Sequence, residues 1–163
     1  MAIDKIQSES INLADNFAFT GTVTGAGENN TPMFKVSGGN LSLAHNTHTK
    51  LSISSEAIDT DNCFDLGANN RFTPNKAGKY LFTLRVIAPS STNSDYISAY
   101  IQKNGSSSVA GANGVNLEYN TTGCSSIVEA NGTTDYFEAY AEQESGGSLL
   151  IAVSEFSAFY IGN

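Results

Sequence analysis

The sequence predicts an all-β domain, a sandwich, barrel or jelly roll, on three observations. No stretch longer than a few residues carries the apolar period of a helix. Apolar and polar residues instead alternate in short runs rich in β-branched and aromatic side chains. Clusters of Gly, Asn, Ser and Asp cut these runs at short spacing, as turns do. A chain of 163 residues suffices for one such domain, or for one domain with a tail.

The elements follow in order. Residues 1–31 differ in kind from the rest. Ile11, Leu13, Phe17, Phe19 and Val23 all fall on odd positions, so an extended chain places them on one face. The segment then runs into Thr24-Gly25-Ala26-Gly27-Glu28-Asn29-Asn30, a flexible link by composition. So short a stretch builds no core of its own, and its apolar stripe needs cover. An extra strand on the domain's own sheet would supply it. The favoured expectation is an arm that docks on a partner or on copies of itself.

Residues 32–163 form the domain proper. Leu51-Ser52-Ile53 alternates before Asp59-Thr60-Asp61-Asn62 breaks the run. The strongest strand is Lys79 to Ala88, with Tyr80, Phe82, Leu84 and Val86 sharing one face. Pro89 to Ser94 closes it as a loop. A strand over Tyr96 to Ile101 ends at Lys103-Asn104-Gly105, a hairpin turn by composition. Further strands are expected at 115–119, 123–129, 134–143 and 148–161, separated by Asn120-Thr121-Thr122, Ala130-Asn131-Gly132 and Ser145-Gly146-Gly147.

Lys and Arg total 8 against 16 Asp and Glu, a net charge of -8. That balance argues against nucleic-acid backbones and anionic membrane surfaces, where cationic patches supply most of the affinity. No apolar run approaches the length that spans a bilayer, so no membrane insertion is expected. Ser, Thr, Asn and Gly make up roughly two-fifths of the chain, and only 15% is charged. In such a chain the Asn-x-Ser/Thr triplets are chance matches rather than glycosylation sites. The opening Met1 to Ser10 has no apolar h-region, which predicts synthesis in a cytosol without export. Cys63 and Cys124 are then expected as free thiols rather than a bridge.

Phe72-Thr73-Pro74-Asn75-Lys76-Ala77-Gly78-Lys79-Tyr80-Leu81-Phe82 resembles the Phe, five residues, Gly-x-Tyr-x-Phe pattern of the complement C1q globular head, a tumour-necrosis-factor-like jelly roll. Tyr96 to Gly105 resembles that family's next strand and turn. Phe156-Ser157-Ala158-Phe159-Tyr160-Ile161 resembles its closing strand. The core motif carried over is therefore Phe72, Gly78, Tyr80, Phe82, Phe156 and Phe159. Asp59 and Phe64 fit only with one residue inserted before Phe72. Ile53 stands where Phe is usual, and Leu84 where Phe or Tyr is usual. The resemblance spans residues 32–163 and implies a jelly roll packed as a homotrimer around a three-fold axis.

Lys5 to Val23 resembles the amino-terminal segment of virion proteins from tailed phages of aquatic bacteria, where C1q-like heads follow short docking segments. This implies partners among capsid or tail proteins, reached through residues 1–31, with synthesis in the host cytoplasm and a final place on the virion surface.

Candidate chemistry is sparse. His45 and His48 form a His-x-x-His pair with no third ligand nearby in sequence, and are read as loop histidines. No nucleophile elbow or phosphate loop occurs. Asp59, Asp61 and Asp65 crowd one loop, and oxygen ligands at that density could hold calcium. Phe64 sits where an EF-hand needs glycine, so a solvated loop whose aspartates end strands is the plainer reading. Glu138, Glu142 and Glu144 alternate along a strand and share a face that could line a trimer axis; an exposed acidic face is the default. No cofactor is expected, with calcium the one candidate.

The expected function is accordingly non-enzymatic: a homotrimeric head on a phage particle, serving as capsid decoration or as a tail-fibre tip for host attachment. Loops at 59–70, 89–95, 104–114 and 144–148 are candidate contacts with a host cell-surface glycan. A free-standing, lectin-like C1q protein is the alternative.

Overall fold

The computed structural model describes residues 30–88, 96–115 and 120–163. Residues 1–29, with Ile11, Leu13, Phe17, Phe19 and Val23, lie outside the described residues, as do the 89–95 loop and residues 116–119. Among the described residues twelve strands follow one another: β1 (Met33–Ser37), β2 (Asn40–Leu43), β3 (Thr49–Lys50), β4 (Ser55–Asp59), β5 (Phe64–Asp65), β6 (Arg71–Phe72), β7 (Ala77–Ala88), β8 (Tyr96–Lys103), β9 (Ser107–Val115), β10 (Asn120–Asn131), β11 (Phe137–Glu144) and β12 (Leu149–Gly162). They form two antiparallel sheets. The first runs β10-β7-β12-β1-β4, with β2 on β12. The second runs β5-β6-β11-β8-β9, with β3 on β11. This is the jelly-roll sandwich that the sequence predicts.

The core lies between the sheets. On β7, Tyr80, Phe82, Leu84, Val86 and Ala88 alternate inward and are buried. Phe137, Ala139, Ala141 and Gln143 do the same on β11, beside Ile97, Ala99 and Ile101 of the neighbouring β8. Phe34, Phe64, Phe72, Phe82 and Phe156 meet in one aromatic cluster that ties β1, β5, β6, β7 and β12 together. Each such buried ring contributes on the order of 1.5–3 kcal/mol relative to exposure.

Gly78 works where another residue would not. Its φ is +138°, and a Cβ there would stand 2.6 Å from a ring carbon of Tyr160 and 2.7 Å from the Gly162 carbonyl. The hairpin after β8 turns at Asn104 and Gly105, both with positive φ, as the dipeptide predicts.

Three expectations need correction. The stretch 104–114, expected as a loop, is mostly β9, an edge strand paired with β8. Its Ser-, Gly- and Ala-rich composition suits a loop, and an edge strand tolerates it because one side needs no partner. Asn120-Thr121-Thr122, expected as a break, opens β10 and pairs with Ala88, Ile87 and Val86. Phe159, grouped with the core motif, is 39% exposed on the outer side of β12. Phe156 and Phe159 are three residues apart, an odd step that puts them on opposite faces of a strand. A register shift between Val153 and Glu155 sets which parity points inward, so Phe156, Ala158 and Tyr160 are buried.

Leu51 and Ile53 are buried, as their alternation predicts, yet join no ladder. The Leu51 amide donates to the Ala139 carbonyl at 2.9 Å, which holds the segment beside β11.

Candidate functional site

Among the described residues, most of the exposed large apolar side chains lie on the outer face of the first sheet. Registers align Met33 with Phe159, Phe159 with Leu81, and Leu81 with Ile127, so these four side chains cross the sheet as one row. Ile127 is 60% exposed and Phe159 39%. Ile58 and Ile161 flank the row and are exposed as well. Beside it, Asn30, Met33, Ile58 and Phe159 line a concavity of about 440 Å³. The Asn30 side-chain amide donates to the Tyr160 carbonyl at 2.9 Å, fixing where the chain enters the domain.

Charged groups border the row. Lys35 and Glu155 pair at 3.2 Å, and the Ser157 hydroxyl donates to Glu155 at 3.0 Å. Burial pulls the Glu155 carboxyl up, but Ser157, Lys35 and Arg85 outweigh it and hold it below its ordinary value. Exposed apolar area with a polar border is the anatomy of a protein-protein contact.

The aspartate loop does not converge. Asp59 ends β4 and accepts the Cys63 and Phe64 amides at 3.0 and 2.8 Å, one on each carboxylate oxygen. Asp61 accepts the Thr60 hydroxyl, and Asp65 accepts the Asn69 amide. Each carboxylate accepts a hydrogen bond from its own turn, and no group of three metal-ligating side chains assembles among the described residues.

The histidines separate too. His45 Nδ1 accepts the Gly146 amide at 3.1 Å, whereas His48 lies over β11 and β8. Cys63 and Cys124 are both free thiols. Burial raises the pKa of each, that of Cys124 to about 11.

Glu138, Glu142 and Glu144 do share a face, but it is the outer face of the second sheet, not the one bearing the apolar row. Glu138 is buried there and ion-paired with Lys50. At one end of the sandwich Lys103 meets Asp135 at 2.8 Å. The Asp135 carboxyl is pulled up by burial, then carried below its ordinary value by Asn104, Lys103 and the Asn131 amide. No helix among the described residues is long and apolar enough to cross a membrane.

Sequence reasoning missed the apolar row. Its members come from four strands far apart in sequence, and only the register brings them into line.

No protein-family model matches the chain, and no curated protein matches it. Solved structures do. The globular domain of zebrafish complement 1qA is 17% identical with a TM-score of 0.54, covering 82% of this chain and 100% of that one. The Eiger TNF structure from S. frugiperda is 9% identical with a TM-score of 0.58, covering 80% of this chain and 92% of that one. At these identities the likeness concerns architecture, and the chain has the C1q/TNF-like jelly-roll fold.

Proposed function

We propose that this chain is a non-enzymatic, homotrimeric head on the surface of a tailed-phage virion, held to the particle by residues 1–31. The observation that carries the trimer is the row Met33, Phe159, Leu81 and Ile127 on the outer face of the first sheet. Contact between copies would remove this surface from water. The C1q/TNF-like architecture supplies the number three. A Phe159→Lys, Ile127→Lys double variant is the test. It should keep its β-sheet circular dichroism and run as a smaller species in sedimentation velocity. A variant that keeps the wild-type sedimentation coefficient contradicts the interface.

The reading as a non-catalytic head is supported by the two histidines, each held by its own neighbours: His45 by the Gly146 amide, His48 by Gln102 and two tyrosines.

The virion placement rests on the resemblance of Lys5 to Val23 to phage docking segments. Capsid decoration and a tail-fibre tip differ in copy number, which quantitative mass spectrometry of purified particles reads directly. Hundreds of copies mean decoration, a few trimers' worth mean a tail position, and none contradicts the virion reading in favour of a free-standing lectin-like protein. Deleting residues 1–31 should abolish incorporation and leave the head folded.

A further inference from the structure

The second sheet's outer face is built differently from the first. Outward from β8 stand Tyr96, Ser98, Tyr100 and Gln102; outward from β11 stand Glu138, Tyr140, Glu142 and Glu144. Registers place Lys50, Tyr140, Tyr100 and Gly111 in one row across four strands. Tyr100 extends over Gly111, where a Cβ would stand 3.0 and 3.3 Å from two of its ring carbons. The missing side chain is what lets the ring settle onto the sheet.

His48 covers part of this row. Its ring stacks on Tyr140 at 4.9 Å and 9°, and meets Tyr100 at 4.9 Å and 57°. Its Nε2 is 2.7 Å from the Gln102 side-chain nitrogen, and its Nδ1 is 3.7 Å from Glu142.

Polar side chains on an outward face are usually well exposed. Here Ser98, Gln102 and Glu138 are only 1%, 8% and 5% exposed. Their hydrogen bonds fix them: Ser98 Oγ to Asn113 Oδ1 at 2.6 Å, the Tyr140 hydroxyl to Glu138 at 3.3 Å, and Lys50 to the same carboxylate. The result is a rigid set of rings and polar groups, ordered before any ligand arrives.

We propose that this face binds uncharged glycans, with Tyr100 offering ring surface to the C–H side of a sugar and Glu142 and Asn113 exchanging hydrogen bonds with its hydroxyls. Charge selects the class. Glu142 and Glu144, on the more open part of the face, disfavour phosphorylated, sulfated and sialylated ligands. A hydrophobic protein surface is poorly matched, because among the described residues Ile58, Ile127, Leu150, Phe159 and Ile161 expose their side chains on the first sheet's strands, and the one further exposed large hydrophobic, Leu66, lies in the turn after β5. A purely cationic ligand is also second best. Lys50 and His48 already stand against Glu138 and Glu142, and the side-chain amide of Asn113 offers a donor that a cation cannot accept. An uncharged sugar uses rings, acceptors and donors together. The inference deepens the reading of an outward-facing head by naming what that head holds, and its site is the sheet face rather than the loops.

The test is titration of the full chain with cellotetraose, maltotetraose, tetra-N-acetylchitotetraose and lactose, followed by calorimetry and by the tyrosine ring signals in NMR. Sialyllactose and tetramethylammonium serve as the anionic and cationic probes. At least one uncharged saccharide should bind and shift the tyrosine signals, with affinity falling about tenfold or more in Tyr100→Ala and in Gly111→Val. Glu142→Gln sits on the surface and keeps the test informative if either of those variants fails to fold; it should weaken the same saccharide. Phe159→Lys, on the opposite face, should leave intrinsic affinity per chain unchanged even if it dissociates the trimer, which separates failure of this site from failure of the trimer reading. Absence of binding by all four saccharides overturns the proposal. So does binding that Tyr100→Ala and Glu142→Gln both leave intact, or binding of tetramethylammonium in place of every sugar.

Discussion

Phe34 on β1 and Phe72 on β6 stack with ring centroids 4.4 Å apart and planes 29° from parallel, and this contact joins the two sheets. Both rings are buried, and Phe34 also touches Phe64, Phe82 and Phe156. Phe34→Ala and Phe72→Ala should each cost about 3–5 kcal/mol. The pair should couple in a double-mutant cycle by about 0.5–1.5 kcal/mol, read from urea unfolding. Additive losses would mean that the stack contributes nothing beyond burial.

Gly78 allows β7 to start against the end of β12. Gly78→Ala puts a methyl 2.6 Å from Tyr160 and 2.7 Å from the Gly162 carbonyl, at a φ that side chains resist. A loss of stability on the order of 1–3 kcal/mol should follow. Gly146→Ala has open space around its Cβ and carries only the φ penalty, so it should cost less on the same thermal-melting scale.

Acid should loosen the sandwich at its Asp135 end. The folded-state pKa of this carboxyl is depressed by Asn104, Lys103 and the Asn131 amide, which outweigh its burial. Its contribution is therefore complete above the unfolded carboxyl value of about 3.9, and is lost as pH falls through the lower folded value. Glu155 behaves with the same sign. The urea midpoint should drop between about pH 5 and pH 2, and Asp135→Asn should flatten part of that slope.

Both thiols should be slow to react in the folded protein. Burial raises the pKa of Cys63 and of Cys124, the latter to about 11, so little thiolate exists near neutral pH. Two cysteines should label with iodoacetamide after denaturation without a reductant. Protection that only a reductant relieves would reveal a disulfide instead.

The long strands were legible because they are buried on one side. On β7, Tyr80, Phe82, Leu84 and Val86 write their alternation into the sequence, and β8, β11 and β12 do so nearly as clearly. β1 to β4 were not read, being short and, in β4, exposed along most of their length. β9 hides behind a composition that edge position tolerates and that Gly111 requires. The interaction faces were the least legible part. The row Met33, Phe159, Leu81 and Ile127 and the row Lys50, Tyr140, Tyr100 and Gly111 are each products of register, which no local pattern encodes.

In the proposed trimer, the first sheet's outer face is closed by two further copies of the chain. Multi-angle light scattering on the purified 163-residue chain tests it most directly. The expected result is one species with a mass near three times the 17.2 kDa chain, held on dilution to micromolar concentration. A monodisperse species at 17.2 kDa would contradict the trimer and leave Phe159 and Ile127 exposed to solvent.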